Sequence, residues 1–531
     1  MGTTWPGYPG VEFERDVEAL MRDGTSLFAD VYRPSGSEPL PILLMRSPYG
    51  KAPAVAHFGN AHPAWYADHG YQVVVQDSRG RGTSGGEFHP FLHEQVDGFD
   101  TVEWAAAMPG SNGQVGMWGF SYTGATQLLA AVEQPSGLAA IAPGFTASQY
   151  YEGWTYNGGA LAIAFVCYWA NLLALDNAIR AGDEAAWGAL AGGLAAAPQS
   201  FWHLPLDEYP PLKDSYAPYF FDWVEHCTYD DYWRRWSIDE DYSRIQVPGM
   251  HVGGWYDVFL SGTVKNFVGL KEGAGSADAR RQQKLLIGPW THMPWTPHGT
   301  AEGRLPDTND VDDWHLRWYD HLFKGADNGV LDSPVTVHLF NGAWRDYADW
   351  PPPESQSVDW FLHSDGRANS KFGSGTLTRE APGDEPPDIF IYDPGVPSPS
   401  FGGHSCCFDT ITPMGPADQH LAEVSRMVLV HTSDPLPGDV EVVGDVSVVL
   451  FAATTAADTD WVARLCVVDA SGVSTNLQEG ILRARYRDSL SEPDPITPDE
   501  VHEYEIELGP VGAFVSAGSR LRLQVSSSDF P

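Results

Sequence analysis

In Gln114-Val-Gly-Met-Trp-Gly119-Phe-Ser121-Tyr-Thr-Gly124-Ala-Thr-Gln-Leu-Leu-Ala-Ala-Val132 an apolar strand runs into a helical stretch through a turn that carries a serine between small residues. A strand that gives way at once to a helix is the setting of a nucleophile elbow. The turn holds the serine in a strained backbone conformation and lifts its hydroxyl above the end of a sheet, beside the helix N-terminus. The pattern departs from G-x-S-x-G, because Thr123 stands at the second glycine position and Gly124 follows one residue later. Over so few residues a glycine- and serine-rich helix entry without chemistry reads the same way. The context on either side has to decide between them.

Upstream, Ser26-Leu-Phe-Ala-Asp-Val-Tyr-Arg33 and Pro41-Ile-Leu-Leu-Met45 read as opening strands around a turn at 34–39, and Tyr71-Gln-Val-Val-Val-Gln76 as a strand buried on both faces. With helical stretches between them, notably Asp97 to Met108, the alternation predicts a parallel sheet covered by helices. From 145 to 245 strand signals give way to aromatic, alanine-rich helical patterns such as Ala160 to Ala181 and Asp183 to Ala197. Strand signals return at Gly249–Gly253 and Lys284–Ile287, which makes the helical stretch an inserted cap. Asn309 to Gly325 carries Val311, Trp314, Trp318, Tyr319, Leu322 and Phe323 on one helical face. After Pro351-Pro-Pro353 the texture becomes turn-rich with period-2 segments, among them Val446–Leu450, Trp461–Val468 and Arg520–Val525, which predicts an all-β sandwich or jelly roll. The expected organisation is an α/β domain in two pieces, 1–144 and 246–350, a helical cap over 145–245, and a β jelly roll over 351–531. The end, Ser526–Pro531, directly follows a strand and leaves a continuation open.

A serine hydroxyl becomes a useful nucleophile only when a base takes its proton and a carboxylate orients that base. In α/β-hydrolases the chain order is serine, acid, histidine. Asp257 ends Gly253-Gly-Trp-Tyr-Asp257 after an apolar strand, and His292 ends Gly288-Pro-Trp-Thr-His292 after the next one. Asp257 could instead cap a helix at Val258–Leu260, and His292 is one of 18 histidines. His251, His298, His315 and His321 lie inside a strand or a helix, or lack a strand-then-loop setting, which leaves His292 as the candidate base. The Tyr122 N–H, directly after the serine, is the expected oxyanion donor. The loop after an early strand, Arg46-Ser-Pro-Tyr49-Gly-Lys51, offers the Tyr49 hydroxyl as a second donor in place of a glycine-rich loop. Asp77-Ser-Arg-Gly-Arg-Gly82 suits a structural turn with internal ion pairs better than catalysis.

Asp and Glu number 70 against 31 Lys and Arg, a net charge of −39, so the surface repels nucleic acid and anionic membranes. The five cysteines, Cys167, Cys227, Cys406, Cys407 and Cys466, have neither zinc-site nor redox-pair spacing and read as reduced thiols of a cytoplasmic protein. No apolar run approaches the ~20 residues that span a bilayer. No metal or organic cofactor is implied, since a triad supplies base, nucleophile and electrostatics. Monomer and homo-oligomer are both compatible with the sequence.

Five motifs in order, Arg46-x-Pro-Tyr49, Asp77-x-Arg-Gly-x-Gly82-x-Ser84-x-Gly86, Gly116-Met-Trp-Gly-x-Ser121-Tyr-x-Gly124, Gly253–Asp257 and Gly288–His292, resemble the α/β-hydrolase branch that contains cocaine esterases, X-Pro dipeptidyl-peptidases and α-amino-acid ester hydrolases. The extra residue before Gly124 is a feature of that branch. The resemblance implies a capped hydrolase domain with a C-terminal jelly roll, and an oxyanion hole made by the Tyr49 hydroxyl and the Tyr122 N–H. It further implies an acyl site among Trp154, Trp169 and Phe259. First strands by residue 26 leave no room for the long N-terminal domain of the peptidases. Asp307 and Asp310 lie where an amine-binding acidic cluster would be expected but match no such pattern. The expectation is a serine carboxylesterase acting on a small-molecule acyl ester. An amidase or X-Pro-type aminopeptidase is one alternative, and a non-catalytic binding protein on a hydrolase scaffold is another.

Overall fold

A computed structural model of the chain describes residues 3–5, 7–36, 38–52, 60–292, 310–407 and 411–531. Its larger sheet draws on β1 (Thr3–Trp5), β2 (Tyr8–Leu20), β3 (Ser26–Pro34), β4 (Leu40–Ser47), β5 (Gln72–Asp77), β6 (Ser111–Phe120) and β7 (Leu138–Gly144). After a two-strand hairpin, β8 (Tyr156–Asn157) and β9 (Ala160–Leu161), it resumes with β10 (Gly249–Tyr256), β11 (Gln283–Thr291), β12 (Val335–His338) and β13 (Trp344–Tyr347). The 11 strands run in the order β1-β2-β3-β5-β4-β6-β7-β10-β11-β12-β13. Pairing is parallel from β5 through β12 and antiparallel at both ends. β5, parallel to β4 and antiparallel to β3, is buried at every position, as a strand covered on both faces requires.

The expected start of the sheet at residue 26 is corrected by β1 and β2. β2 is largely solvent-facing, and its alternation, Val11-Glu12-Phe13-Glu14 and Val17-Glu18-Ala19, loses phase at Arg15–Asp16, where the register with β3 shifts. Asn309, the expected start of the amphipathic helix, lies outside the described residues, and the helix runs Asp310–Lys324.

Between β7 and β10 the chain forms the cap helices Ile163–Ala181, Glu184–Ala195, Pro218–Glu225 and Asp231–Arg234. The cap shares its core with the sheet. One continuous apolar cluster runs from Ile42 and Leu44 through Leu128 and Tyr150 to Trp154, Trp169, Trp223 and Trp233. Burial of these rings fixes the cap over the C-terminal ends of the parallel strands.

The C-terminal third is strand-rich. A six-stranded sheet combines β14 (Phe361–His363), β15 (Thr376–Thr378), β16 (Leu429–Ser433), β18 (Asp460–Val468), β19 (Ser474–Arg483) and β21 (Arg520–Ser526), and β17 (Val440–Ala452) pairs with β20 (His502–Val515). This region is tied to the larger sheet by main-chain bonds. The Phe340 N–H donates to the Gly512 carbonyl and the Phe514 N–H to the Phe340 carbonyl, both at 2.8 Å. Among the described residues no helix is long and apolar enough to cross a membrane.

One buried ion pair links the sheet to the turn after β6. Arg46, on β4, places Nη1 2.6 Å from Glu94 Oε2 and donates through Nε to Gln76 at 3.0 Å. Glu94 Oε1 in turn accepts from the Tyr122 hydroxyl at 3.1 Å. Removing one partner of a buried pair strands the other charge. Arg46→Met is therefore expected to cost about 3–5 kcal/mol in urea unfolding, and adding Glu94→Leu to recover much of that loss.

Candidate active site

β6 ends at Phe120, and Ser121 turns the chain into the helix Tyr122–Val132 with φ 60 and ψ −128. Few non-glycine residues adopt that region, which costs about 1–3 kcal/mol and persists only where surroundings enforce it. Here the Ser121 N–H donates to the Gly144 carbonyl at 2.9 Å, and the Ser121 carbonyl accepts from Gly124 and Ala125. Gly124 sits where a Cβ would lie 2.7 Å from the Gly144 carbonyl oxygen, so this glycine lets the helix approach β7. Thr123, at the position where a glycine is more usual, turns its hydroxyl back to the Phe120 carbonyl at 2.7 Å.

β10 delivers Asp257 and β11 delivers His292 to the same end of the sheet. His292 Nε2 lies 3.0 Å from Ser121 Oγ, and His292 Nδ1 lies 2.7 Å from Asp257 Oδ1. All three are buried. The helix after Asp257 begins only at Leu260, with Phe259 at its cap. The rival histidines are engaged elsewhere: His251 with Gln283, His315 with Tyr66, and His321 with the Ala326 carbonyl. His298 and Asp307 lie outside the described residues.

The Tyr122 hydroxyl points away from the serine, accepting from the Phe91 N–H at 2.8 Å and donating to Glu94, so only its N–H, in the unpaired first turn of the helix, is available to a ligand. Tyr49 stands across from Ser121, with which it shares a hydrogen bond. The Trp169 Nε1–H donates to the Tyr49 oxygen at 3.2 Å, so toward the cap the tyrosine oxygen is an acceptor. Burial pushes the Tyr49 phenol above its ordinary value, so it stays a neutral donor. The Asp77–Gly86 turn holds this arrangement from below. Arg81 donates to the Pro48 carbonyl and, at 3.0 Å, to the Leu173 carbonyl of the cap, while Lys51 bridges Asp16 and Asp77.

Above the serine lies a cavity of about 230 Å³. The cap helix contributes Ala164, Phe165, Tyr168, Trp169 and Leu172, a spacing that puts them on one face. Of the three aromatics expected at the acyl site, Trp169 lines the cavity. Trp154 and Phe259 stack on each other behind it with centroids 4.2 Å apart, and Phe259 meets the His292 ring edge-on at 5.1 Å. Cys406, Cys407, Ile411 and Thr412 close another side of the cavity. They come from the C-terminal third, where no sequence signal connects them to the serine. The expectation of five reduced thiols is corrected here. Cys406 and Cys407 are joined as neighbours in a disulfide, while Cys167, Cys227 and Cys466 are free. Adjacency made the pair invisible to spacing rules.

Residues 23–294 match the family model for the X-Pro dipeptidyl-peptidase (S15 family), and residues 309–531 match that for the X-Pro dipeptidyl-peptidase C-terminal non-catalytic domain. The cocaine esterase of Rhodococcus sp. (strain MB1 Bresler) is 34% identical over 97% of this chain and 91% of its own length. An aminopeptidase from a marine sediment Thaumarchaeota archaeon superposes with a TM-score of 0.78 at 25% identity, covering 100% of this chain and 91% of that one. An α-amino acid ester hydrolase shares the fold with a TM-score of 0.77 at 24% identity, over 100% of this chain and 91% of its own.

The close approach of Gly124 to β7 yields a test. Gly124→Ala is expected to lower the thermal midpoint, by about 1–3 kcal/mol in stability, and to reduce kcat, because the added methyl displaces the turn that carries Ser121.

Proposed function

We propose, for a chain that belongs to the X-Pro dipeptidyl-peptidase (S15) family and is a serine ester hydrolase, that Ser121, His292 and Asp257 perform the reaction through an acyl-enzyme. The observation that carries this is the continuous hydrogen-bonded line from Ser121 Oγ through His292 to Asp257, at 3.0 and 2.7 Å. Ser121 attacks the ester carbonyl while His292 Nε2 takes its proton, and Asp257 holds the ring and stabilises the imidazolium. The Tyr122 N–H and the Tyr49 hydroxyl receive the oxyanion. His292 then gives its proton to the departing alkoxide, and water repeats the sequence to release the acid.

The cavity favours a compact acyl group. At about 230 Å³ it is smaller than the ~300–1,000 Å³ usual for a drug-sized ligand, and Trp169, Phe165, Phe120 and Leu172 make it apolar. Trp154 and Phe259 act in this reading as the rigid backing of that acyl site. An aminopeptidase would need a carboxylate for its substrate's amine, and no Asp or Glu lines the cavity among the described residues. Paired ester and anilide substrates of one acid separate the two activities.

Three finer assignments belong to the same reading. The hydrolase domain spans 1–144 and 246–350, the cap 145–245 and the β domain 351–531, the last read as a jelly roll because its six-stranded sheet and the β17–β20 pair share one apolar core. For a cytoplasmic location speak the three free cysteines, and against it the one disulfide, between adjacent residues. A small-molecule ester is the partner this cavity suits.

Hydrolysis of p-nitrophenyl acetate, butyrate and benzoate by the wild type and by Ser121→Ala tests the nucleophile. The variant is expected to lose the wild-type rate, and equal rates would overturn the assignment. Tyr49→Phe is expected to lower kcat by roughly 10²–10³ with KM nearly unchanged. Because burial raises the Tyr49 pKa, its donor form survives to higher pH, and any alkaline fall in wild-type kcat from this group is expected to lie above the range of a free tyrosine phenol.

A further inference from the structure

Cys406 and Cys407 sit on a strap that the C-terminal domain lays against the acid loop. The strap is closed by reciprocal main-chain bonds between Gly403 and Gly415 at 2.7 and 3.0 Å, and Ser405 bridges to Asp257 in parallel-strand fashion. His404 anchors it from behind, its main-chain N–H donating to Glu479 Oε1 at 2.6 Å and its Nδ1 lying 2.9 Å from the same oxygen. The Thr412 hydroxyl donates to the Cys406 carbonyl at 2.8 Å. The two sulfurs are thereby held against the proposed base. Sγ of Cys406, Sγ of Cys407 and a ring nitrogen of His292 all lie within 4.8 Å of one another.

Two thiolates and an imidazole are a donor set for a soft divalent cation, and tetrahedral zinc with bonds of about 2.0–2.3 Å wants its donors roughly 3.5–3.8 Å apart. Once the S–S bond is broken, the two sulfurs have to part by about 1.7 Å and the imidazole nitrogen to close on them by at most about 1 Å, shifts within the reach of side-chain rotation. His292 is already prepared as a ligand. Its Nδ1 is committed to Asp257 at 2.7 Å, which leaves the Nε2 lone pair facing the cavity. A carboxylate behind a metal-binding histidine is the arrangement that orients the ring and raises its basicity. The same lone pair has to take the Ser121 proton, so it can serve catalysis or a cation but not both.

We propose that Cys406 and Cys407, once reduced, form with His292 Nε2 an inhibitory site for a soft divalent cation such as Zn²⁺, and that the disulfide keeps the esterase free of it. The inhibitory half rests on His292 being the base, as assigned above. Reduction by a water-soluble phosphine breaks the S–S bond. Phosphorus is oxidised to the phosphine oxide with oxygen from one water, and that water's two protons end on the two sulfurs. The cation then displaces both protons to solvent and binds two thiolates and one imidazole, its fourth position open to the cavity. A disulfide has no thiolate to offer and leaves Nε2 to Ser121.

The test uses the full-length protein, reduced with tris(2-carboxyethyl)phosphine, freed of reductant without oxygen, and titrated with Co²⁺. A near-ultraviolet thiolate-to-cobalt band that saturates at one equivalent, yields to Zn²⁺ and is absent from the unreduced protein is the expected result. Stoichiometric Zn²⁺ is expected to lower the reduced enzyme's ester hydrolysis by at least about tenfold, reversibly with EDTA. Cys406→Ser/Cys407→Ser, compared with its own metal-free rate, is expected to show neither the band nor the zinc effect. Ser121→Ala is expected to keep the band while lacking activity, so a failure of the nucleophile assignment shows in the rate and a failure of the metal site in the spectrum. No band, a band unchanged in the double serine variant, or a saturated band with full activity would each overturn the proposal.

Discussion

The positive φ of Ser121 is the constraint on which the site depends. A serine at φ 60 projects its hydroxyl away from both the strand it ends and the helix it begins, into the space above the sheet. The chain does not adopt that angle for its own sake. It is held there by the bond from the Ser121 N–H to Gly144, by the contact that Gly124 makes with β7, and by the Tyr122–Glu94–Arg46 line that fastens the first helical turn to β4. The strain is therefore carried by the parallel sheet as a whole. Adjacent parallel strands β6, β7, β10 and β11 all end on the same side, which brings Asp257 and His292 to the serine without any long loop between them.

The C-terminal third does more than cover the sheet edge. Phe340 pairs with Gly512 and Phe514, the Tyr256 hydroxyl donates to the Asn476 carbonyl at 2.8 Å, and Ser405 runs beside Asp257. All three contacts flank the loop that carries Asp257, so the position of Asp257 depends on a region that contributes none of the three proposed catalytic residues. The family models meet between residues 294 and 309, whereas the larger sheet continues through β13 at Tyr347. The segment between those points belongs by pairing to one unit and by descent to the other.

Legibility in the sequence followed locality. Ser121, Asp257 and His292 each stand one step beyond a strand whose apolar run is continuous, and each carries small or aromatic neighbours that name the turn. Those are features of ten residues or fewer, which pattern reading can see. β2 was missed because its alternation of apolar and charged residues is cut in two by the register shift at Arg15–Asp16, which leaves two short runs instead of one strand-length pattern. The cavity wall was missed for a different reason. Phe165, Tyr168 and Leu172 could be read as the core face of a helix, and Cys406 and Cys407 as ordinary thiols, because only tertiary packing turns those surfaces toward the serine.

The distribution of roles along the chain has a chemical consequence. The proposed reacting groups all sit on sheet ends, where parallel hydrogen bonding holds them rigidly, as electrostatic preorganisation requires. Much of the cavity wall above Ser121 comes from the cap helix and the strap, attached through side-chain packing and a few main-chain bonds. Changes in cap or strap can thus reshape the cavity while the line from Ser121 to Asp257 stays as it is. Tyr49 is the one group that joins the two sets. It reaches toward Ser121 from the loop after β4, yet its hydroxyl is also bonded by Trp169 of the cap, so the donor proposed for the oxyanion is positioned by sheet and cap together.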